Sequence, residues 1–392
     1  MAKNTKLHYA IYLLSFTAFA IGVSEFIVVG VLNSIAEHFS IPIEKAGSLV
    51  GLYALALAIG TPIVTLMLTH FNKKRVLVGL ISVFSLGSLV SATANTFEIL
   101  LAGRIVTAIA HGSFFAIGAT VAAALAPKGE ASKAIALMFA GLTIAMVIGV
   151  PLGSFIGNIA GWQWPFFAVF VLAIISLLVT SFILPTQATP PKSSVKAQFA
   201  ALKNSHVLAM MLVTILGFGA TFTAFTYITP IMVEITGFTE QTASILLLVF
   251  GGATFIGNLA GGNAAAYFGW QKMLIGNFCA LALMFFVLLF AMHQKWSMTP
   301  VLFIWGFLAF SLSPSLQTGM LSIASTHIPK AVDFTSSLNI AAFNFGIALG
   351  EYTGGSLVAA GRMPETPMAG IAMVALAFAP LIYIQATKQK SF

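Results

Sequence analysis

Four ionisable residues stand inside stretches that are otherwise apolar. Glu25 interrupts GVSEFIVVG (22–30), Arg104 and His111 share GRIVTAIAHG, and Glu351 lies in LGEYTGG. Charges within such helices are costly and mark ion pairs, substrate sites or proton relays. A carboxylate beside a guanidinium can do two things. It can hold two helices together as a static pair. It can also take up and release a proton as the guanidinium moves, because burial disfavours the carboxylate's charge and the neighbouring cation favours it. His111 follows Arg104 by seven residues, two turns along one helical face. An imidazole titrates near neutral pH, so it can relay a proton, hydrogen-bond a substrate, or simply sit neutral against a neighbouring helix.

The elements that must position these groups follow from composition. Of 392 residues, 59% are hydrophobic and only 7% charged, and the mean hydropathy is +1.01. Soluble domains carry about 25% charged residues, so this chain is a polytopic membrane protein. Runs of about 20 apolar residues read as transmembrane helices. Twelve are expected, at roughly 9–34, 45–70, 76–95, 98–125, 133–158, 164–185, 207–231, 241–267, 272–292, 299–325, 334–359 and 366–386. The runs do not alternate in polarity as β-barrel strands do. The chain is therefore an all-α membrane protein of twelve transmembrane helices. At about 1.5 Å per residue, Glu25 and Arg104 fall at similar depths on helices 1 and 4.

The formal net charge of +8 is topological. With the N-terminus inside, fourteen basic residues, among them Lys73, Lys74 and Arg75, fall on one side, and only Lys45, Lys295 and Arg362 on the other. That bias predicts cytoplasmic termini and argues for a lipid bilayer, not nucleic acid, as the surface the chain meets. The first apolar run is too long for a signal peptide and reads as a retained helix. The single cysteine, Cys279, lies in helix 9 and reads as packing, so no disulfide framework, metal site or cofactor is expected.

The polar stretch PTQATPPKSSVKAQFAALKNSH (185–206) reads as a cytoplasmic linker (186–206) between an N-terminal half (1–185) and a C-terminal half (207–392), with a short amphipathic piece around VKAQFAALKN. The halves repeat. A shift of 197 residues places Gly22 on Gly219 and Gly60 on Gly257, and a shift of 202 places Gly153-Ser154 on Gly355-Ser356. Two such halves can rock about a central site. Under the first shift Glu25 falls on Phe222, so the acid belongs to one half only.

The chain resembles the major facilitator superfamily along its whole length. The loop PIVTLMLTHFNKKRVL is similar to the family's loop 2–3 motif, with Lys73, Lys74 and Arg75 at its basic end but Thr69 in place of the aspartate. That loss puts the usual gating salt bridge in question. GRIVTAIAHG resembles the family's motif around a membrane-embedded arginine, here Arg104. GVPLGS, carrying Gly149, Pro151 and Gly153, is similar to the helix 5 motif of the drug:proton antiporter branch. GVSEFIVVGVL, AHGSFFAIGA and AAFNFGIALG liken the chain to bacterial sugar-efflux and purine-efflux exporters. The resemblance implies two pseudo-symmetric six-helix halves in the cytoplasmic (inner) membrane. It also implies a monomer that exchanges small neutral or amphipathic solutes for protons.

On this reading Glu25, Arg104 and His111 are the proton-coupling candidates, and Lys73, Lys74 and Arg75 the gating loop. Tyr53, Tyr227, Gln317, Asn344 and Glu351 are the candidates for substrate contact. Tyr227 stands toward the end of helix 7 near Pro230, and Pro314 is expected to interrupt helix 10. A facilitator of sugar or nucleobase movement without ion coupling is the alternative in the same fold. A membrane enzyme or receptor is disfavoured, since no nucleotide-binding glycine loop, metal cluster or catalytic triad stands in the sequence.

Overall fold

Backbone amides in lipid have no water to bond, so a chain this apolar must satisfy them within helices. The computed structural model describes residues 9–41, 43–68, 70–186 and 199–388. Twelve long helices carry the described chain: α1 (Tyr9–Phe39), α2 (Ile43–Leu68), α3 (Lys73–Ala92), α4 (Phe97–Leu125), α5 (Ala131–Ala160), α6 (Gln163–Ile183), α7 (Ser205–Phe225), α8 (Glu240–Phe268), α9 (Trp270–Ala291), α10 (Lys295–His327), α11 (Val332–Ala359) and α12 (Thr366–Lys388). No strand occurs among the described residues. Side chains such as Phe182, Tyr267 and Trp296 are more than three-quarters exposed. Large apolar side chains laid open in this way face lipid.

Short polar residues start the helices. Asn72 caps α3 by accepting from the Lys74 amide, Thr96 caps α4, Asn204 caps α7, and Thr239 caps α8. Each side-chain oxygen satisfies an amide that the first turn leaves without a partner. Helix 7 ends earlier than the sequence suggests. α7 stops at Phe225, and a short turn at Ile228–Pro230 runs into a π-helical stretch, Ile231–Ile235. Pro230 has no amide to donate, and its ring crowds the carbonyl four residues back. Pro314 does not behave as expected: α10 runs unbroken through it, as α2 runs through Pro62. Most of the linker (187–198) lies outside the described residues, and with it residues 195–198 of the expected amphipathic piece. Its described end forms a single 3-10 turn, Ala201–Lys203.

The chain forms two compact units, Met1–Gln198 with Lys330–Ala341, and Phe199–Pro329 with Ala342–Phe392. Within the first, α1 packs on α5 and α2 on α4. A side-chain carbon on Gly141 of α5 would overlap the Ser15 carbonyl oxygen of α1. Within the second, α8 packs on α10. A carbon on Gly219 of α7 would overlap the Gly346 carbonyl oxygen of α11. The glycines that the repeat superposes do the same work. Gly22 faces Leu142 and Ala145 of α5 where Gly219 faces α11. Gly60 faces Ile109 of α4 where Gly257 faces Phe307 of α10. Without a hydrophobic force between helices in lipid, close backbone approach of this kind supplies the packing energy.

Candidate functional site

The first unit gathers its polar groups around α4. This helix is the most enclosed of the apolar spans, with 83% of its most apolar window buried against 28% for α6. Arg104, 1% exposed, reaches from α4 to α1. Its Nη1 donates to the Ser24 carbonyl oxygen at 2.6 Å and to Ser24 Oγ at 3.3 Å. The guanidinium carbon lies 4.0 Å from the centre of the Tyr53 ring on α2. A cation over an aromatic face, away from water, is held by the ring's quadrupole. The Tyr53 hydroxyl is in turn 2.8 Å from His111 Nδ1, one step further along α4. His111 stacks at a tilt against Phe115, ring centres 5.0 Å apart.

Three helices thus join through one chain of contacts: Ser24, Arg104, Tyr53 and His111. The seven-residue spacing of Arg104 and His111 puts both on the Tyr53 side of α4. Tyr53, expected among the substrate contacts, is the bridge between them. Ser24 was not singled out by the sequence; the one signal was a hydroxyl beside Glu25 in an apolar run.

Glu25 is half-buried beside this chain. It does not form the direct pair with Arg104 that equal depth suggested. The ion pairs among the described residues are Lys73–Asp333, Lys133–Glu130 and Arg362–Glu365. Arg104 spends one nitrogen on Ser24, the neighbour of Glu25, and its Nε has no hydrogen-bond partner. The two charges still lie within each other's field, and Tyr53 lies within that of both.

At one end of the unit the start of α3 meets the start of α11. Lys73 Nζ stands 2.9 Å from Asp333 Oδ1 and donates to Thr120 Oγ1 of α4 at 3.0 Å. The lysine and aspartate side chains are 18% and 13% exposed. One turn on, Ser336 Oγ donates to the Ala116 carbonyl oxygen at 2.7 Å. The acid missing at Thr69 is supplied from α11, by the only aspartate in the sequence. Lys74 is half-buried and Arg75 exposed, and neither enters an ion pair among the described residues.

In the second unit the candidates are arranged differently. Asn344 and Glu351, seven residues apart, lie on one side of α11, half-buried and exposed respectively. The Tyr227 hydroxyl rests over Gly355, one turn beyond Glu351, and Tyr227 feels the Glu351 charge. These three residues form a polar edge on α11. Gln317 is wholly buried in α10. Where the repeat places Tyr53, the second unit has Phe250, stacked on Phe225 at 4.6 Å with Trp305 edge-on at 5.6 Å. In α5, Gly149 is buried; the surroundings of Pro151 and Gly153 lie outside the described residues, although the helix continues through both.

Comparison with known proteins places this arrangement. A sequence model described as Major Facilitator Superfamily matches residues 14–351. The uncharacterized MFS-type transporter YtbD of Bacillus subtilis is 39% identical over 93% of this chain and 92% of its own. The inner membrane transport protein YdhP of Escherichia coli O157:H7 is 35% identical over 98% and 97%. Among solved structures, the E. coli fucose:proton symporter FucP superposes with a TM-score of 0.79 at 15% identity, covering 96% of this chain and 98% of that one. The human organic anion transporter MFSD10 gives 0.75 at 15%, covering 95% and 98%. At that identity these likenesses speak to fold alone. Twelve helices, the repeated packing and the family match over most of the length together identify the chain as a multi-pass membrane transporter of the Major Facilitator Superfamily.

Proposed function

We propose that this transporter is a proton-coupled exporter of small neutral or amphipathic solutes, such as sugars, nucleobases or drugs. It works by alternating access in the cytoplasmic membrane with both termini inside. The observation that carries the coupling is the position of Glu25. It sits in the field of a guanidinium that is anchored elsewhere, on Ser24 and the Tyr53 ring. A fixed cation next to an unpaired carboxylate makes proton occupancy depend on their separation. As the transporter alternates between its two states, Arg104 moves toward or away from Glu25, and Glu25 loads or releases its proton. Tyr53 and His111 transmit the position of Arg104 along α4.

Asn344, Glu351 and Tyr227 form one wall of the substrate path, the carboxylate favouring solutes that carry a polar or cationic group. Lys73 and Asp333 latch the cytoplasmic end, and their separation is what inward opening requires. Export and exchange, in place of symport, rest on the likeness of GVSEFIVVGVL and the helix 5 motif to efflux proteins.

The test uses everted membrane vesicles, energised and loaded with a pH-sensitive dye. Sugars, purines and amphipathic drugs are added in turn to vesicles carrying wild type or Glu25→Gln. Substrate-dependent proton release in wild type, abolished in the variant, is the expected result. Transport without proton movement makes the chain a facilitator. Coupling that survives in Glu25→Gln removes Glu25 from the mechanism.

A further inference from the structure

A cleft of about 420 Å³ opens in the first unit between α2, α3 and α4. Val64 and Leu68 of α2, Val76, Leu80 and Val83 of α3, and Ile109 of α4 line it, and Arg75 is the one charged residue among those described there. We propose that this cleft is a binding site for an anionic phospholipid, with the phosphate on Arg75 and an acyl chain laid along α3.

Three observations converge on that occupant. The first is electrostatic. The first turn of α3 reads Lys73-Lys74-Arg75 with no acid. Cations there oppose the helix dipole, whose positive end is the N-terminus. An anion off the helix must offset them. Asp333 does this for Lys73, and Arg75 is left exposed without an ion-pair partner among the described residues. The second is the shape and depth of the cleft. From Arg75 to Val83 is eight residues, about 12 Å of helix at 1.5 Å per residue. The cation therefore sits at the end of α3, and the apolar lining runs inward from it toward the hydrocarbon. The third is the open floor. Gly79, one turn in from Arg75, has nothing within 4 Å of where a side-chain carbon would stand. The α3 face from Arg75 through Gly79 to Val83 is exposed and flanked by Phe71, 55% exposed at the mouth. A soluble anion would use the arginine alone, and a zwitterionic lipid would bring the arginine a phosphate whose charge its own ammonium offsets. An acidic lipid uses both the arginine and the lining. Basic groups at the ends of transmembrane helices draw acidic lipids by about 1 kcal/mol each.

Purified protein in mild detergent is titrated with phosphatidylglycerol or with phosphatidylcholine of the same acyl chains. Retained lipid is counted by native mass spectrometry. Wild type is expected to retain phosphatidylglycerol about fivefold better, the factor that one such cation supplies. Arg75→Ala brings the two lipids level. Gly79→Trp, which fills the floor, lowers retention of both. Each substitution is at an exposed position, so the fold survives and circular dichroism of the variants verifies it. Equal retention of the two lipids by wild type overturns the proposal, as does a preference that persists in Arg75→Ala. Full displacement of phosphatidylglycerol by soluble glycerol phosphate also overturns it, because the apolar lining then contributes nothing.

Discussion

The two halves of this transporter share a scaffold and divide the chemistry. Gly22 and Gly219 close equivalent helix interfaces, as do Gly60 and Gly257. At the next positions of interest the halves part. Tyr53, Arg104 and His111 form a buried polar chain in the first half. The second half answers Tyr53 with Phe250, stacked among Phe225 and Trp305. Glu25 is answered by Phe222. A repeat can preserve backbone geometry because small residues at helix contacts constrain both copies alike. Buried charge is under no such double constraint. It needs one site with partners, and a second copy in an aromatic setting would carry the desolvation cost without them. The comparison teaches that the buried polar groups are asymmetric by construction.

The largest expected effect comes from Arg104→Ala. It removes the cation from Glu25, takes from the Ser24 carbonyl the donor it has beyond its own helix, and empties the face of Tyr53. Breaking a buried charge network of this kind costs about 3 to 5 kcal/mol, and coupled transport should be lost. Thermal unfolding in detergent measures the first and the vesicle dye assay the second. The double variant Arg104→Gln with Glu25→Gln should recover part of the stability, since no lone charge remains, but not the coupling. Recovery of coupling in that variant breaks the asymmetry argument.

Next in size is the pair of matched glycines. Gly219→Ala pushes a methyl group into the Gly346 backbone carbonyl, whereas Gly22→Ala meets the end of the Leu142 side chain, which can yield, and the β-carbon of Ala145, which yields only if α5 shifts. Overpacking of a tight contact costs about 1 to 3 kcal/mol, with Gly219→Ala at the upper end and Gly22→Ala at the lower. Equal melting temperatures for the two variants would show that the halves are packed more alike than the contacts indicate.

A smaller effect is expected of Tyr53→Phe, which deletes the hydroxyl bonded to His111. It should cost about 1 kcal/mol, the net worth of one hydrogen bond, while the ring remains to hold Arg104. The reciprocal change, Phe250→Tyr, introduces an unpartnered hydroxyl into the aromatic cluster and should destabilise by about 1 to 3 kcal/mol with no effect on proton release. If Phe250→Tyr alters coupling, the second half is part of the proton path.

The smallest stability change belongs to Asp333→Asn. The partly exposed pair with Lys73 should contribute about 1 kcal/mol or less. Its signature lies in access. Labelling of a cysteine introduced at that end of the helices should rise in the variant relative to wild type, and salt should narrow the difference. Unchanged labelling would remove the latch from the transport cycle.

Much of this was legible before any coordinates. Twelve apolar runs announce twelve helices, since lipid leaves the backbone no other way to satisfy itself. The spacing of Arg104 and His111 correctly placed both on one side of α4. Pro230 stands five residues beyond the end of α7, in the turn that follows it, while Pro314, identical in type, sits inside an unbroken α10. A proline reports a missing amide, and only packing decides whether the helix continues through it. Glu25 and Arg104 at equal depth suggested a direct pair, because depth fixes one coordinate and leaves the facing direction open. The guanidinium turned instead to the Ser24 carbonyl and the Tyr53 ring.

By itself, then, the sequence determined the solvent, the helix count, the repeat and the identity of the few groups able to carry charge. These are properties of composition and of period along one chain, and lipid enforces them locally. Only the tertiary structure decided who meets whom. It drew Tyr53 from α2 to bridge Arg104 and His111, and brought Asp333 across 260 residues to the lysine at the start of α3. It also put Phe250 where its counterpart carries a hydroxyl. Partnership of this kind depends on the rotation of each helix about its axis, which close packing sets and linear order does not encode.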